Sequence, residues 1–229
     1  MLEALKAEVY EANMELVRRG LVIYTFGNAS GFAREERLLA IKPSGVPYEK
    51  MGPSDMVVCD LDGNVVEGRM KPSSDLATHI AVYRAFPGVH GVAHTHSRHA
   101  TSWAQARKDI PCFGTTHADY FRGPIPVTEP LTPAEIDGDY EWETGQAIVR
   151  RFKGLDPMEV PAVLVAGHAP FTWGRTPAAA AHNAVLVEEV ARMAIETIAV
   201  NPGAEPISEY MRDKHFLRKH GAKATYGQS

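Results

Sequence analysis

The sequence predicts a mixed α/β protein in which helices cover a largely antiparallel sheet. Three observations predict it. Apolar segments of strand length alternate irregularly with segments of helical period, not in the regular order of a parallel sheet. Two short β-prone runs meet across Asp62-Gly63, a tight-hairpin signal. The chain has 229 residues, 45% of them hydrophobic, with no internal repeat and no linker long enough to divide it. Residues 1–229 therefore read as one domain around one core.

Leu2, Leu5, Val9, Ala12 and Leu16 recur at steps of three and four, which makes the opening an amphipathic helix. Arg18 and Arg19 suit its last turn and Gly20 its stop. Leu21 to Phe26 is a β-prone run ending at Gly27-Asn28, and Leu38 to Ile41 is another, closing on Lys42-Pro43-Ser44-Gly45. Met56–Asp60 and Val65-Val66 form the expected hairpin. Ser74 is the expected N-cap of a helix that reaches about Phe86 and stops at Pro87-Gly88. A strand over Val89–Thr95 and a helix over Ser97–Arg107 follow. Thr132-Pro133-Ala134-Glu135 has a capping-box pattern, and a further helix covers roughly Glu141 to Phe152. Val160–Ala166 reads as a buried strand. Thr176-Pro177 opens a long helix that ends at Asn201-Pro202-Gly203, and its middle is apolar enough to need cover on most sides, another subunit being one candidate.

Composition excludes several classes of function. The net charge is −4, so no global basic field draws the chain to nucleic acid or anionic lipid. No apolar run approaches the ~18 residues of a membrane span. Glu3, Lys6, Glu8, Glu11 and Glu15 do not suit a secretion signal, and Cys59 and Cys112 form no CxxC pair. A cytoplasmic location is the resulting expectation.

Ten histidines are the unusual feature. In Val92-Ala93-His94-Thr95-His96, residues two apart on a strand face one side, close enough for both imidazoles to hold one ion. The pair also suits a half-buried strand whose imidazoles bond to backbone or water. His168, in the break Gly167-His168-Ala169-Pro170 after an apolar strand, is a candidate third ligand. His90, His99 and His117 lie near enough in sequence to compete. Gly27-Asn28, Ser44-Gly45 and Ser73-Ser74 have the chemistry of an anion cradle, with Lys42 adding a charge, although each is also an ordinary turn or cap. Asp75 sits in a first helical turn, where the dipole already favours a carboxylate. Asp119, in Thr115-Thr116-His117-Ala118-Asp119-Tyr120-Phe121, is a candidate acid/base group. The stretch from Asp213 to Gln228 is basic and by charge alone reads as a solvated tail.

The strings KPSG, KPSSD, AHTHSRHATSWAQA, GTTHADYF, DYEWETG and KHFLRKHGAKATYGQ, taken together and in this order, resemble the epimerase branch of the class II aldolase/epimerase family, from Met1 to Gln228. That resemblance implies a three-layer α/β/α fold around an antiparallel sheet and a homotetramer with sites at subunit interfaces. It implies zinc, with manganese or cobalt as alternatives, on His94, His96 and His168, with Asp75 as the nearby carboxylate. Phosphate and substrate contacts fall on Gly27, Asn28, Ser44, Gly45, Ser73 and Ser74, with Lys42 adjoining. Asp119 and Tyr226 become the acid/base pair, and His215 a further contributor. The tail, about residues 210–229, is thereby reread as part of a neighbouring subunit's site. Two departures are Ala169, where a glycine is usual, and the Ala29-Ser30-Gly31 neighbourhood.

The implied activity interconverts L-ribulose 5-phosphate and D-xylulose 5-phosphate, a phosphorylated ketopentose pair. The C4 proton is not activated by a C2 carbonyl, so metal-stabilised retro-aldol cleavage of C3–C4, rotation of the aldehyde and re-addition is the better route to inversion. Asp75 stands where the related L-fuculose-phosphate aldolase has glutamate, which favours epimerase over aldolase. A non-catalytic, adducin-like interaction domain is the alternative from another class.

Overall fold

The computed structural model describes residues 2–222, 224 and 225. The order of elements is α1 (Leu2–Arg18), β1 (Asn28–Ala33), β2 (Leu38–Ile41), β3 (Val57–Asp60), β4 (Val65–Glu67), α2 (Leu76–Ala85), β5 (Gly91–His94), α3 (Arg98–Ala106), α4 (Thr115–Ala118), α5 (Pro133–Asp137), α6 (Tyr140–Arg151), β6 (Ala162–Leu164), β7 (Pro170–Gly174), α7 (Pro177–Val200) and α8 (Glu209–His220). Among the described residues, seven strands form one sheet in the order β4-β3-β2-β1-β5-β7-β6, and neighbouring strands pair antiparallel throughout.

Strand alternation separates the two faces by size. Phe32, Leu39, Ile41, Val57, Cys59 and Val92 point to one side and pack with Leu76, Ile80 and Tyr83 of α2 and Ile148 of α6. Phe86, Phe152 and Trp173 close this layer, with ring centroids 5.0 to 5.5 Å apart. The other side carries Ala29, Ala40, Val58 and Ala93, and it packs on α1 and α7. Small residues let those helices lie close. A Cβ on Gly31 would stand 2.7 Å from Pro177 and 2.9 Å from Leu5 and Val9. The result is the expected α/β/α layering. The apolar middle of α7 is covered within the chain by α1, α3 and the sheet, while Met193, Ile195, Ile198 and Val200 toward its end remain exposed.

One strand expectation is corrected, and one strand, β7, carries no expectation from the sequence. Leu21–Phe26 is irregular, with a turn at Tyr24-Thr25, and the strand is Asn28–Ala33 instead. On its α1/α7 face the strand carries only Ala29, Gly31 and Ala33, because that face has no room for β-branched side chains. β7 was hidden by the proline at its first position, where no ladder donor is needed. One cap also shifts: Asp75, not Ser74, occupies the N-cap position of α2. The capping box of α5 forms as expected, with the Glu135 N–H donating to Thr132 Oγ1 and the Thr132 N–H donating to Glu135 Oε2 at 2.7 Å.

Candidate active site

β5 ends at His94, which pairs in register with Asn28 of β1 on one side and Phe171 of β7 on the other. His94 lies two residues beyond Val92, so its ring projects on the α2 side and stacks on Phe171 at 4.1 Å. His96 lies beyond the regular strand, where the chain turns into α3, yet its ring centroid is only 4.9 Å from that of His94. His168 arrives from the turn between β6 and β7. That turn closes by the Val165 N–H donating to Ala169 O and the His168 N–H donating to Val165 O, with Gly167 at φ +73°. Ala169 therefore leaves the loop intact.

One ligand atom from each of His94, His96 and His168 lies within 4.8 Å of the others, and the Nε2 atoms of His94 and His168 are 3.2 Å apart. The outward nitrogens are occupied. His94 Nδ1 lies 3.0 Å from the Pro170 carbonyl, and His168 Nδ1 lies 3.2 Å from Tyr140 Oη. Nδ1–H donation to those oxygens leaves each Nε2 as a lone pair facing the cluster. Burial lowers the pKa of all three rings, that of His94 to about 4 despite the opposing pull of Asp75. Neutral imidazoles are the form that binds a cation, so this donor set fits zinc or a similar divalent ion with one position left open.

Asp75 is held beside the cluster by the Asn28 amide, which donates to Asp75 Oδ2. Burial opposes its charge, but His94, His79 and the Asn28 bond outweigh burial and keep the carboxyl below its ordinary range. Two of the competing histidines are engaged elsewhere. His99 Nδ1 lies 2.7 Å from Glu188, and His117 Nε2 lies 2.8 Å from the Gly123 carbonyl.

The histidines face a cleft of about 320 Å³. Gly27, Asn28, Lys42, Ser44, Gly45, Ser73, Ser74 and Asp75 line it together with the three histidines. The two KPS strings meet here. The Ser44 N–H donates to Lys71 O and the Ser73 N–H donates to Lys42 O, each at 2.9 Å, around an antiparallel Pro43–Pro72 bridge. This pairing sets Ser44 beside Lys71 and Ser73 beside Lys42, and Ser44-Gly45 and Ser73-Ser74 both line the cleft, the second pair just before the positive end of α2. Lys42 is 1% exposed, and burial lowers its pKa to about 8. The cleft thus brings together three imidazoles, the Asp75 carboxylate, the Lys42 side chain and two serine-bearing turns.

Asp119 is not among the described residues that line this cleft. It lies at the end of α4, where Arg218 holds both carboxylate oxygens at 3.0 Å, His215 Nδ1 reaches Oδ1 at 3.0 Å and Lys219 reaches Oδ2 at 3.4 Å. Burial opposes its charge, but these groups keep its carboxyl below the ordinary range. Asp119 and the last turns of α8 therefore form one unit. Tyr226 lies outside the described residues. Tyr140, Thr25 and Phe26 were missed in the sequence. Tyr140 belongs to the DYEWETG string, but nothing in its spacing pointed to His168.

Three histidines converging on one open cleft, at the end of an inner strand of an antiparallel sheet between helical layers, define a class II aldolase-type fold and site. The chain belongs to the class II aldolase and adducin N-terminal domain family, whose model matches residues 7–195. It is 53% identical over 227 residues to the L-ribulose-5-phosphate 4-epimerase UlaF of Salmonella paratyphi A, covering 99% of this chain and 100% of that one. Among solved structures it is similar to an L-fuculose 1-phosphate aldolase, at 30% identity and a TM-score of 0.74 over 92% of this chain and 95% of that one. YgbL of Klebsiella pneumoniae, at 24% identity and a TM-score of 0.74 over 93% and 98%, shares the fold.

Proposed function

We propose that this chain is a zinc-dependent L-ribulose-5-phosphate 4-epimerase, interconverting that sugar and D-xylulose 5-phosphate. The observation that carries the reading is the single cleft lined both by three neutral imidazoles and by Lys42, Ser44-Gly45 and Ser73-Ser74. A phosphorylated ketose is anionic at one end and rich in oxygen donors at the other, and it matches both. The 53% identity to an epimerase over nearly the whole chain supports the same substrate.

His94, His96 and His168 would hold the ion, which supplies Lewis-acid stabilisation of charge developing on the ketose oxygens. The chain's own groups do the rest. Lys42, the serine hydroxyls and the backbone N–H groups of the cradle grip the phosphate. They retain the two-carbon aldehyde fragment after C3–C4 breaks, so that it turns and re-adds on its other face instead of leaving. Inversion requires proton transfer on both faces, because the C4 oxygen points opposite ways before and after rotation. Asp119, kept ionised by Arg218, His215 and Lys219, suits the base on one face. Tyr226 is the proposed group on the other.

Asp119 lies apart from its own chain's cleft, which supports delivery of the Asp119–α8 unit and the tail to a neighbouring subunit's site. The proposed assembly is accordingly a homotetramer of single-domain subunits. The test is a coupled assay on pure L-ribulose 5-phosphate. Formation of D-xylulose 5-phosphate is expected. Free glycolaldehyde phosphate and dihydroxyacetone as the main products would instead assign the chain to the aldolases.

A further inference from the structure

The cradle has two arms that come from different parts of the sheet. Gly27 and Asn28 form one, at the start of β1, and Lys42 forms the other, just past β2. Tyr48, in a short 3-10 turn and 4% exposed, touches both. Its single hydroxyl proton is shared between the carbonyls of Phe26 at 3.1 Å and Gly27 at 2.9 Å. Its ring face lies 4.7 Å from Lys42 Nζ.

We infer that Tyr48 is a positioning residue that sets the distance and direction between the two arms of the phosphate cradle. The inference rests on the cradle reading above.

Each contact has a physical consequence. Peptides are planar and trans, so fixing the Phe26 and Gly27 carbonyls fixes the direction of the Gly27 and Asn28 N–H groups on the far side of the same peptides. Gly27 has little freedom of its own. It stands at φ +73°, and a Cβ there would lie 2.8 Å from the His94 carbonyl oxygen. Tyr48 therefore holds the loop from one side while the histidine strand limits it from the other. On the second arm, Lys42 Nζ donates to Pro43 O at 3.2 Å and Val46 O at 3.1 Å. An ammonium has three donors, so one is left for an anion in the cleft. The two carbonyls and the Tyr48 ring compensate a charge that would otherwise be costly to bury. The ring and the hydroxyl act on different arms, so the two can be separated by substitution.

The experiment compares Tyr48→Phe and Tyr48→Leu with the parent enzyme. Tyr48→Phe removes the loop anchor and keeps the ring; Tyr48→Leu removes both. Inorganic phosphate is titrated calorimetrically, zinc affinity is measured by chelator competition, and turnover is followed with product analysis. Tyr48→Phe should weaken phosphate binding and raise KM by about tenfold, the scale of one well-placed polar contact. Tyr48→Leu should weaken both further. Both should leave zinc affinity unchanged and release some glycolaldehyde phosphate, because a loosened cradle loses the fragment it has to retain. Parent-like phosphate binding in both variants overturns the inference, as does zinc affinity falling in step with phosphate affinity. A parent enzyme that binds no phosphate ends the cradle reading and the inference together. Phosphate binding that responds to Tyr48 in a chain that leaves L-ribulose 5-phosphate unchanged overturns only the proposed substrate.

Discussion

Tyr140 Oη lies 3.2 Å from His168 Nδ1, on the side of the ring away from the other two histidines. Tyr140 opens α6, whereas His168 sits in the β6–β7 turn, so a helix on one face of the sheet fixes the ring of a loop ligand. Removing the hydroxyl leaves the ligand in place but frees its tautomer and rotation. Tyr140→Phe should weaken zinc binding by about tenfold or more, the usual scale for losing an outer partner of a metal ligand. Chelator competition checks this, with thermal melting of the metal-free protein expected to change little.

Glu188 caps α3 from outside. Its carboxylate accepts from the N–H groups of His99 and Ala100 at 3.0 Å each, while the N-cap residue Ser97 makes no side-chain capping bond. Glu188→Ala should cost about 2 kcal/mol, because it removes a cap and leaves two donors in a half-buried site. Burial opposes ionisation of Glu188, but the helix N–H groups and His99 lower its pKa overall. A lowered folded pKa means this stability is present above the ordinary carboxylate value and is lost as pH falls through the folded value. Parent-minus-variant stability, measured by urea unfolding, should therefore shrink on acidification below about pH 4.5.

Gly91 opens β5 against the start of α7. A Cβ there would stand 2.3 Å from the Thr176 carbonyl oxygen and 2.5 Å from Pro177 N, and both neighbours are backbone. No rotamer change relieves that clash, so Gly91→Ala should cost about 3 kcal/mol or prevent folding. Gly63→Ala is not a clean control, because Gly63 adopts φ +86°. Gly114→Ala, with open space around its Cβ and no positive φ, should be nearly neutral in the same melting assay.

Lys42 supplies charge to the cradle only while protonated, and burial lowers its pKa to about 8. Inorganic phosphate binding should weaken as pH rises through and above that value. Lys42→Met should remove the loss of binding above about pH 8, since no titrating ammonium is left in the cleft. Calorimetric titration across pH 6.5 to about 9.5 covers the range on either side of the folded pKa.

Much of this could be read along the chain because it is local. The α1 stripe, the Asp62-Gly63 hairpin, the Thr132 capping box and the Thr176-Pro177 start of α7 all depend on neighbours within a few residues. β1 and β7 escape the sequence pattern for different reasons: β1 carries only Ala and Gly on the face that α1 and α7 approach, and β7 opens on a proline. At the site, His94 and His96 carried their own spacing, but their union with His168 spans 74 residues and depended on the sheet order β5-β7-β6. The pairing of the two KPS strings, the reach of Tyr140 to His168 and the grip of Tyr48 on Gly27 leave no periodicity in the sequence, because each joins segments through space alone.

The most direct test is a metal analysis coupled to turnover. Metal-free protein should be inactive on L-ribulose 5-phosphate, bind one zinc per chain and regain activity in proportion to the zinc bound, while His168→Ala should lose both affinity and activity. Full epimerisation by the metal-free protein, or zinc held as tightly by His168→Ala as by the parent, would contradict the account.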